Sequence, residues 1–338
     1  MKAEPRNPSL WLRVADAAFL SGDAERAADA AGRAHGLGGG DDLLRRALQG
    51  RLLAGQEAAA RALLSGLAGA EPDFWRGVLA CRAGRWTTAR ALLLAAAAAD
   101  PARLAERAGL FAAWASHRAA GGKRPARRGI VIAGLGWRRP RQTTVGALDA
   151  LASCRRLVAV ANTLDDATRD LLCLFRARVT AVAFRGSEAE ALKAARTAVA
   201  AARTGPAGTV TRGNPLVYGR FAARLVALAR ARKIPFEVLP GVSSYEGLAA
   251  EGRPAPGSPL GLEVRGVHDL AGAGARAAVV FTPRSPTNAA PPRASALFLA
   301  SEGGMTAPAR VSAAKAAEMI RRGGAPGILY YLPGRSST

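Results

Sequence analysis

Three glycine-containing loops could do chemistry, because each follows a short run of apolar and β-branched residues. They occupy residues 134–137, 212–220 and 240–244. In open α/β sheets, ligands bind beyond the carboxyl ends of the strands, where such loops lie. Glycine also lets the main chain approach a ligand closely. The loops therefore predict a site in which main-chain groups and the hydroxyls of Ser243 and Ser244 hold a small organic ligand.

Each loop taken alone also has a simpler explanation. Gly134 and Gly136 form a GxG pair, but Arg139 stands where the dinucleotide-binding fingerprint needs its third glycine, so the first loop fits an ordinary turn. The serines of the third loop fit the N-cap of a helix. The middle loop is harder to explain as a turn, because two glycines flank the stiff Pro215.

The elements that must position these loops form an alternating pattern. After residue 128, β-branched runs alternate with Ala-rich and Leu-rich runs, which predicts an α/β fold with a mostly parallel sheet. Strands are predicted at residues 129–133, 157–161, 179–184, 209–211 and 236–239, with helices at 145–154, 164–175, 188–203 and 221–231. The alternation loosens after residue 240, and we expect a second, smaller α/β subdomain there. Its predicted elements are strands at 261–267, 277–282, 296–300 and 328–332 and a helix at 312–322.

Residues 5–117 are predicted to be helical throughout, because alanine and leucine dominate and the breaks are short turns. The turns contain Gly22, Gly55 and Gly84, which are 33 and 29 residues apart. An alanine follows each of these glycines five residues later: Ala27, Ala60 and Ala89. This spacing predicts stacked helical hairpins with a period of about 34 residues. The region resembles tetratricopeptide repeats, and it would either offer a concave surface to a protein partner or pack as a cap on the next domain.

A linker separates the predicted helical region from the predicted α/β region. Residues 119–128 contain Gly, Pro and a run of charge but no core-forming side chain. The predicted domains are a helical repeat region at 1–118, a first α/β subdomain at 129–239 and a second at 240–338.

The composition excludes several classes of protein. No apolar run approaches the length of about 18 residues that a transmembrane helix needs, and the first ten residues lack an apolar signal segment. Three cysteines without a CxxC pair and three histidines predict neither a disulfide framework nor a metal site. We therefore expect a cytoplasmic protein without membrane contact.

The net charge has two interpretations. The chain carries 48 Lys and Arg against 25 Asp and Glu, a formal charge of +23. After Arg127 the count is 29 basic and 13 acidic residues, so +16 of the excess lies there. Such a surface attracts anionic partners, including nucleic acid. A composition rich in Arg, Ala and Gly would produce the same charge without a dedicated partner.

The order of the three loops resembles the tetrapyrrole methylase family of S-adenosylmethionine-dependent methyltransferases. The resemblance rests on Gly134 and Gly136 with Thr143, on residues 213–220, and on residues 234–244. Residues 261–264 and 329–333 look like the branch that contains the methylase half of MazG fusion proteins and the borosin peptide-backbone N-methyltransferases.

The resemblance implies two α/β/α subdomains, here preceded by the helical hairpins, with S-adenosylmethionine in a cleft and held largely by main chain. It also implies a homodimer. Carried over position by position, the cofactor-binding residues are Gly134, Gly136, Trp137, Arg212, Gly213, Asn214, Val217, Ser243, Ser244 and Thr282. Methyl transfer needs no obligatory acid–base pair, but Tyr218 and Tyr245 lie on the right loops to serve as a catalytic base. No metal is implied.

The sequence also departs from the family pattern. Residues 137–139 replace the usual Pro-Gly-Asp, and Asn214 replaces an Asp, keeping the acceptor oxygen but not the charge. The helix predicted at 188–203 has no Tyr, a residue that borosin-type enzymes use there. These departures argue against an orthodox corrin or sirohaem biosynthetic enzyme. They leave as acceptor a small molecule, or a peptide or protein presented by the repeats. The alternatives are an RNA methyltransferase and a non-catalytic repeat scaffold fused to a degenerate methylase.

Overall fold

The structure, a computed structural model, divides the chain into one unit at Met1–Gly241 and another at Val242–Thr338. In the first unit it describes residues 7–122, 129–136, 140, 142–160, 164–184, 186–216 and 219–241. In the second it describes residue 242, Glu318 and the backbone of five strands.

The first unit begins with a series of helices, as predicted. They are α1 (Pro8–Leu20), α2 (Ala24–Gly36), α3 (Asp41–Leu53), α4 (Glu57–Ala62), α5 (Glu71–Arg82), α6 (Trp86–Ala99) and α7 (Pro101–Ala119), with a 3-10 turn at Leu63–Gly66. Gly22, Gly55 and Gly84 lie in the turns after α1, α3 and α5 with φ of 85°, 80° and 72°, a conformation that favours glycine. The alanines that follow them are buried in the helix packing. The predicted hairpin turns are thus confirmed, while the kinship to tetratricopeptide repeats stays a prediction.

The α/β part of this unit is a five-stranded parallel sheet, which also confirms the prediction. Its strands are β1 (Ile130–Gly134), β2 (Arg156–Val160), β3 (Arg178–Val182), β4 (Ala207–Thr211) and β5 (Phe236–Leu239), in the order β3-β2-β4-β1-β5. The helices between them are α8 (Val145–Ala152), α9 (Asp166–Cys173), α10 (Glu188–Ala202) and α11 (Arg220–Ala231).

The two faces of this sheet are covered differently. On one face, Ile130 and Ile132 pack with Val158 against the apolar sides of α10 and α11. On the other face, Val131 and Ala133 belong to a core that includes α8, α9 and the helical region, with Trp75, Phe111 and Trp114 among its largest side chains. Parallel sheets need cover on both faces. On this face the helical region supplies the cover that the short helices α8 and α9 do not.

Buried polar contacts fix the helical region on α9. The Arg82 side chain, only 2% exposed, donates to the carbonyl oxygens of Cys173 (3.0 Å) and Phe175 and pairs with Glu57 at 2.8 Å. The fully buried Asp170 accepts from the Gln49 amide at 2.6 Å and pairs with Arg107.

These contacts come from α3, α5 and α7. The sides of those helices that face α9 are therefore occupied by the chain itself, as the cap interpretation of the helical region expects.

The second unit contains a five-stranded mixed sheet. Its strands are β6 (Leu262–Arg265), β7 (Ala277–Phe281), β8 (Ala296–Ser301), β9 (Ala309–Val311) and β10 (Gly327–Leu332), in the order β6-β7-β10-β8-β9. Four of these strands were predicted, and the three-residue β9 was missed. The helix predicted at 312–322 lies outside the described residues except for Glu318.

The described helices contain none with the combination of length and apolarity that a membrane crossing requires.

Replacing Arg82 tests the contact between the helices and the sheet. Arg82→Met keeps the apolar stem but leaves two buried carbonyls and Glu57 without their donor, so we expect the free energy of unfolding to fall by about 3 kcal/mol. The matched control is Arg76→Met, because Arg76 forms an exposed ion pair with Asp73 on the same helix. That change should stay within about 0.5 kcal/mol. Urea titration measures both, and equal midpoints for the two variants would contradict the role assigned to Arg82.

Candidate functional site

The strand order brings the three loops together. β4, β1 and β5 are neighbours and run parallel, so the loops that follow them leave the same edge of the sheet. In register, Gly134 lies opposite Thr211, and Ala133 lies opposite Leu239. This edge is called the carboxyl edge below.

The first and middle loops are joined by main-chain hydrogen bonds. The Leu135 N–H donates to the Thr211 carbonyl, and the Gly213 N–H donates to the Gly136 carbonyl, both at 3.0 Å. Gly136 and Gly213 form an antiparallel bridge and have φ of 81° and 65°, in the region where glycine is at ease. The two loops thus extend the pairing of β1 and β4 by one antiparallel bridge beyond the parallel strands.

The third loop packs on the other two with no space for a side chain. A Cβ on Gly134 would lie 2.5 Å from both the Gly213 oxygen and the Gly241 nitrogen. A Cβ on Gly241 would lie 2.6 Å from the Gly213 oxygen and 2.7 Å from the Gly134 carbonyl atoms. At Gly134 and Gly241, the main chain of the other loops therefore excludes a side chain, without any ligand being needed to explain the glycine.

Two polar side chains hold the loops in shape. The Asn214 side-chain oxygen accepts from the Leu216 N–H at 3.0 Å, so the residue that replaces the family's Asp keeps a turn-forming acceptor. The buried Thr143 hydroxyl donates to the Leu135 carbonyl at 2.7 Å. The hydroxyl of Thr211, at the end of β4, is buried and has no hydrogen-bond partner in the described part of the chain.

Arg212 links the carboxyl edge to α9. Its Nη2 lies 3.9 Å from a carboxylate oxygen of Asp165, and Asp165 in turn caps α9 by accepting from the Thr168 N–H at 2.9 Å. The first residue of the middle loop therefore carries a partly exposed cation that faces the N-terminus of α9.

An apolar groove flanks the middle loop, and its main sign in the sequence is an apolar residue inside a polar loop. The groove has a volume of about 490 Å³ and is lined by Pro215, Leu216, Val226 and Val238. Leu216 is 69% exposed. The groove would suit an apolar part of a ligand held by the loop.

The remaining predicted site residues lie outside the described part of the chain. They are Trp137, Val217, Tyr218, Ser243, Ser244, Tyr245 and Thr282. Their assignments stay predictions, as do the cofactor contacts of the described residues.

Neither metal nor thiol chemistry is indicated by the described residues. Within them, no three His, Cys, Asp or Glu side chains are grouped to hold a metal ion. The three cysteines are free and buried. Burial raises the pKa of Cys81 and of Cys154 to about 12, and burial together with the negative charge of Asp170 raises the pKa of Cys173 well above its ordinary value.

Comparison with known proteins gives a match over this region. Residues 129–257 match the family of Tetrapyrrole (Corrin/Porphyrin) Methylases, a segment that contains β1 to β5 and all three loops. None of the curated proteins matches the chain.

Several solved structures are similar to it. A putative cobalamin synthesis related protein (CobF) from Corynebacterium diphtheriae is 15% identical, with 62% of this chain and 99% of that chain covered and a TM-score of 0.47. The uroporphyrin-III-C-methyltransferase from Thermus thermophilus is 23% identical, with 61% and 93% covered and a TM-score of 0.44. A structure of the Thermus enzyme complexed with S-adenosyl homocysteine is 22% identical, with 59% and 96% covered and a TM-score of 0.42.

Adding one methyl group at Gly134 tests the packing of the three loops. In Gly134→Ala the new Cβ meets main-chain atoms of both other loops, so we expect the free energy of unfolding to fall by about 2 kcal/mol. Gly109→Ala is the matched control, because Gly109 lies in α7 with no atom within 4 Å of the added Cβ. It should stabilise the protein by about 0.5 to 1 kcal/mol through helix propensity. If Gly134→Ala unfolds at the wild-type urea concentration, the loops are not packed as described.

The cysteines provide a separate check on the core. A thiol reacts as its thiolate, and raised pKa values keep these groups protonated at neutral pH. We expect Ellman's reagent to label none of the three thiols in the folded protein and all three after denaturation in urea. Rapid labelling of one thiol under native conditions would contradict the described burial.

Proposed function

We propose that the chain is an S-adenosylmethionine-dependent methyltransferase of the tetrapyrrole methylase type, with the donor bound at the carboxyl edge. The observation that carries the proposal is the mutual contact of Gly134, Gly213 and Gly241 within the segment that matches the methylase family. The described parts of the three loops named by the sequence resemblance are thus in contact through these glycines.

The described residues suit a ligand with many polar atoms. Main-chain groups of the first and middle loops line the carboxyl edge, and the buried Thr211 hydroxyl there is without a hydrogen-bond partner in the described chain. We propose that Gly134, Gly136, Arg212, Gly213 and Asn214 hold the cofactor. By resemblance, Trp137, Val217, Ser243, Ser244 and Thr282 would add to this set.

When bound, S-adenosylmethionine would supply an electrophilic methyl carbon, to which the acceptor nucleophile bonds in line as the carbon–sulfur bond breaks and S-adenosylhomocysteine is released. The protein's part is to align the acceptor and to exclude water, since holding two reactants in geometry supplies much of the rate enhancement in such reactions. The apolar groove beside Leu216 supports the exclusion of water. Tyr218 and Tyr245 are our candidates for removing a proton from the acceptor.

The helical region has a supporting part in this proposal. It holds α9 through Gln49, Arg82 and Arg107, and α9 presents Asp165 to Arg212. The middle loop is thereby connected, through one partly exposed ion pair, to helices that lie far from it in sequence.

Calorimetry with S-adenosylhomocysteine tests the proposal, and variants of Asn214 make the test specific. We expect saturable heat with the wild-type protein. Asn214→Ala removes the acceptor of the Leu216 N–H and loosens the middle loop, so affinity should fall about fivefold, the equivalent of one hydrogen bond of about 1 kcal/mol. The control Asn214→Asp keeps the acceptor and should bind at least as tightly as wild type.

A folded protein that gives no heat with S-adenosylhomocysteine or S-adenosylmethionine would overturn the proposal. Binding of the cofactor without methyl transfer to any class of acceptor would instead favour a non-catalytic scaffold.

A further inference from the structure

We propose that the amino edge of the parallel sheet, opposite the three loops, binds the phosphate backbone of a nucleic acid. The surface consists of six exposed basic side chains and is called the basic edge: Arg155, Arg156, Arg178, Arg203, Arg232 and Lys233. It is distinct from the cofactor site proposed above and goes beyond that function.

The beginnings of β2 and β3 place the first three cations side by side. Arg156 is the first residue of β2 and lies in register with Arg178, the first residue of β3. The Arg178 N–H donates to the Arg155 carbonyl at 3.1 Å, so the main chains of all three residues are in contact or adjacent.

The ends of α10 and α11 bring the other three cations to the same edge. Arg203 ends α10, and two residues later a Cβ on Gly205 would lie 3.2 Å from the Cδ atom of Arg155. Arg232 ends α11 and Lys233 follows it, just before Pro235 accepts a hydrogen bond from Ile130 at the start of β1. The basic edge therefore runs across the whole sheet.

Among the residues that the structure describes, the cations of the basic edge have no acidic partner at ion-pair distance, in contrast to many cations of the helical region. There, Arg46 pairs with Asp16 at 2.9 Å and Arg51 with Asp29 at 2.5 Å. No ion pair involves any of the six side chains of the basic edge within the described residues. The β3 corner is the least positive part, because Asp23 and Glu25 line the same cleft as Arg178.

Local structure explains only some of these cations. A helix C-terminus attracts positive charge, which accounts for Arg203 and Arg232. It does not account for Arg155, Arg156 and Arg178, which stand at strand beginnings, where like charges repel. An anionic partner would remove that repulsion.

The dimensions and residue types favour nucleic acid as this partner. Five strands at about 4.8 Å spacing span roughly 19 Å, the length of about five phosphates along one strand. Five of the six cations are Arg, whose planar fork binds phosphate through two hydrogen bonds. A membrane surface is less well matched, because the exposed large apolar side chains of the described residues (Leu10, Leu20, Leu37, Leu94 and Leu216) all lie outside the basic edge.

Fluorescence anisotropy with a labelled single-stranded RNA of mixed sequence tests the proposal. We expect the full-length protein to bind it with strong salt dependence. The triple variant Arg155→Gln, Arg156→Gln, Arg203→Gln should lower the slope of log affinity against log salt by about 2, from three lost phosphate contacts of about 0.7 each. The control triple Arg13→Gln, Arg61→Gln, Arg90→Gln changes the net charge equally at exposed positions of the helical region, and its slope should stay within about 0.5 of wild type.

Three results would overturn the proposal. The first is no RNA binding at low salt. The second is an equal loss of salt slope in both triple variants, which would mean that the effect depends on net charge alone. The third is binding to phosphatidylserine vesicles in preference to RNA. The heat of S-adenosylhomocysteine binding should be the same in the basic-edge triple as in wild type, so a failure of either proposal is recognised separately.

Discussion

The carboxyl edge depends on a contact between three stretches of main chain that leave adjacent strands. Gly134, Gly213 and Gly241 approach so closely that a single added Cβ would overlap backbone, which cannot move away as a side chain can. Because protein interiors are close-packed, such a contact tolerates little added volume. The same contact holds the first and middle loops beside the start of the third, where hydrogen bonds also join the first two loops. The requirement for glycine at Gly134 and Gly241 is therefore a requirement of the fold, independent of any ligand.

The second constraint is the cover of the sheet. A parallel sheet is buried on both faces, and here α8 and α9 have only eight residues each. The helical region completes that face with aromatic side chains and with a buried polar network around Asp170. Removing one partner from such a buried charge pair is costly, because it leaves the other charge buried and uncompensated, and this makes the relative position of helices and sheet specific. Asp165, the N-cap of α9, contacts Arg212, so the helix held by this network also touches the middle loop.

The sequence predicted the elements far better than their arrangement. Alternation of β-branched and Ala-rich runs located β1 to β5 to within a few residues, and the glycines at positions 22, 55 and 84 indicated the helical turns. It did not give the strand order, because the order depends on which crossovers pack best and not on any one segment. The adjacency of β4, β1 and β5 was therefore not predicted and is seen only in the structure. Arg82, Gln49 and Asp170 are indistinguishable in sequence from surface residues, so their burial against α9 could not be predicted. β9 was missed because three residues carry no period.

The net charge can be interpreted only when the structure shows which of the described cations form ion pairs. In the helical region, many Arg side chains are paired with acids, as Arg46 and Arg51 are, and contribute little field at a distance. At the amino edge, strand beginnings and helix ends converge by topology, so basic residues far apart in sequence lie together, and none of them forms an ion pair within the part of the chain that the structure describes. The sheet thus has two unlike edges: a carboxyl edge formed by close-packed main chain, suited to a compact polar ligand, and an amino edge of extended positive charge, suited to a polyanion. Parallel strands make this separation possible, since all five begin at one edge and end at the other.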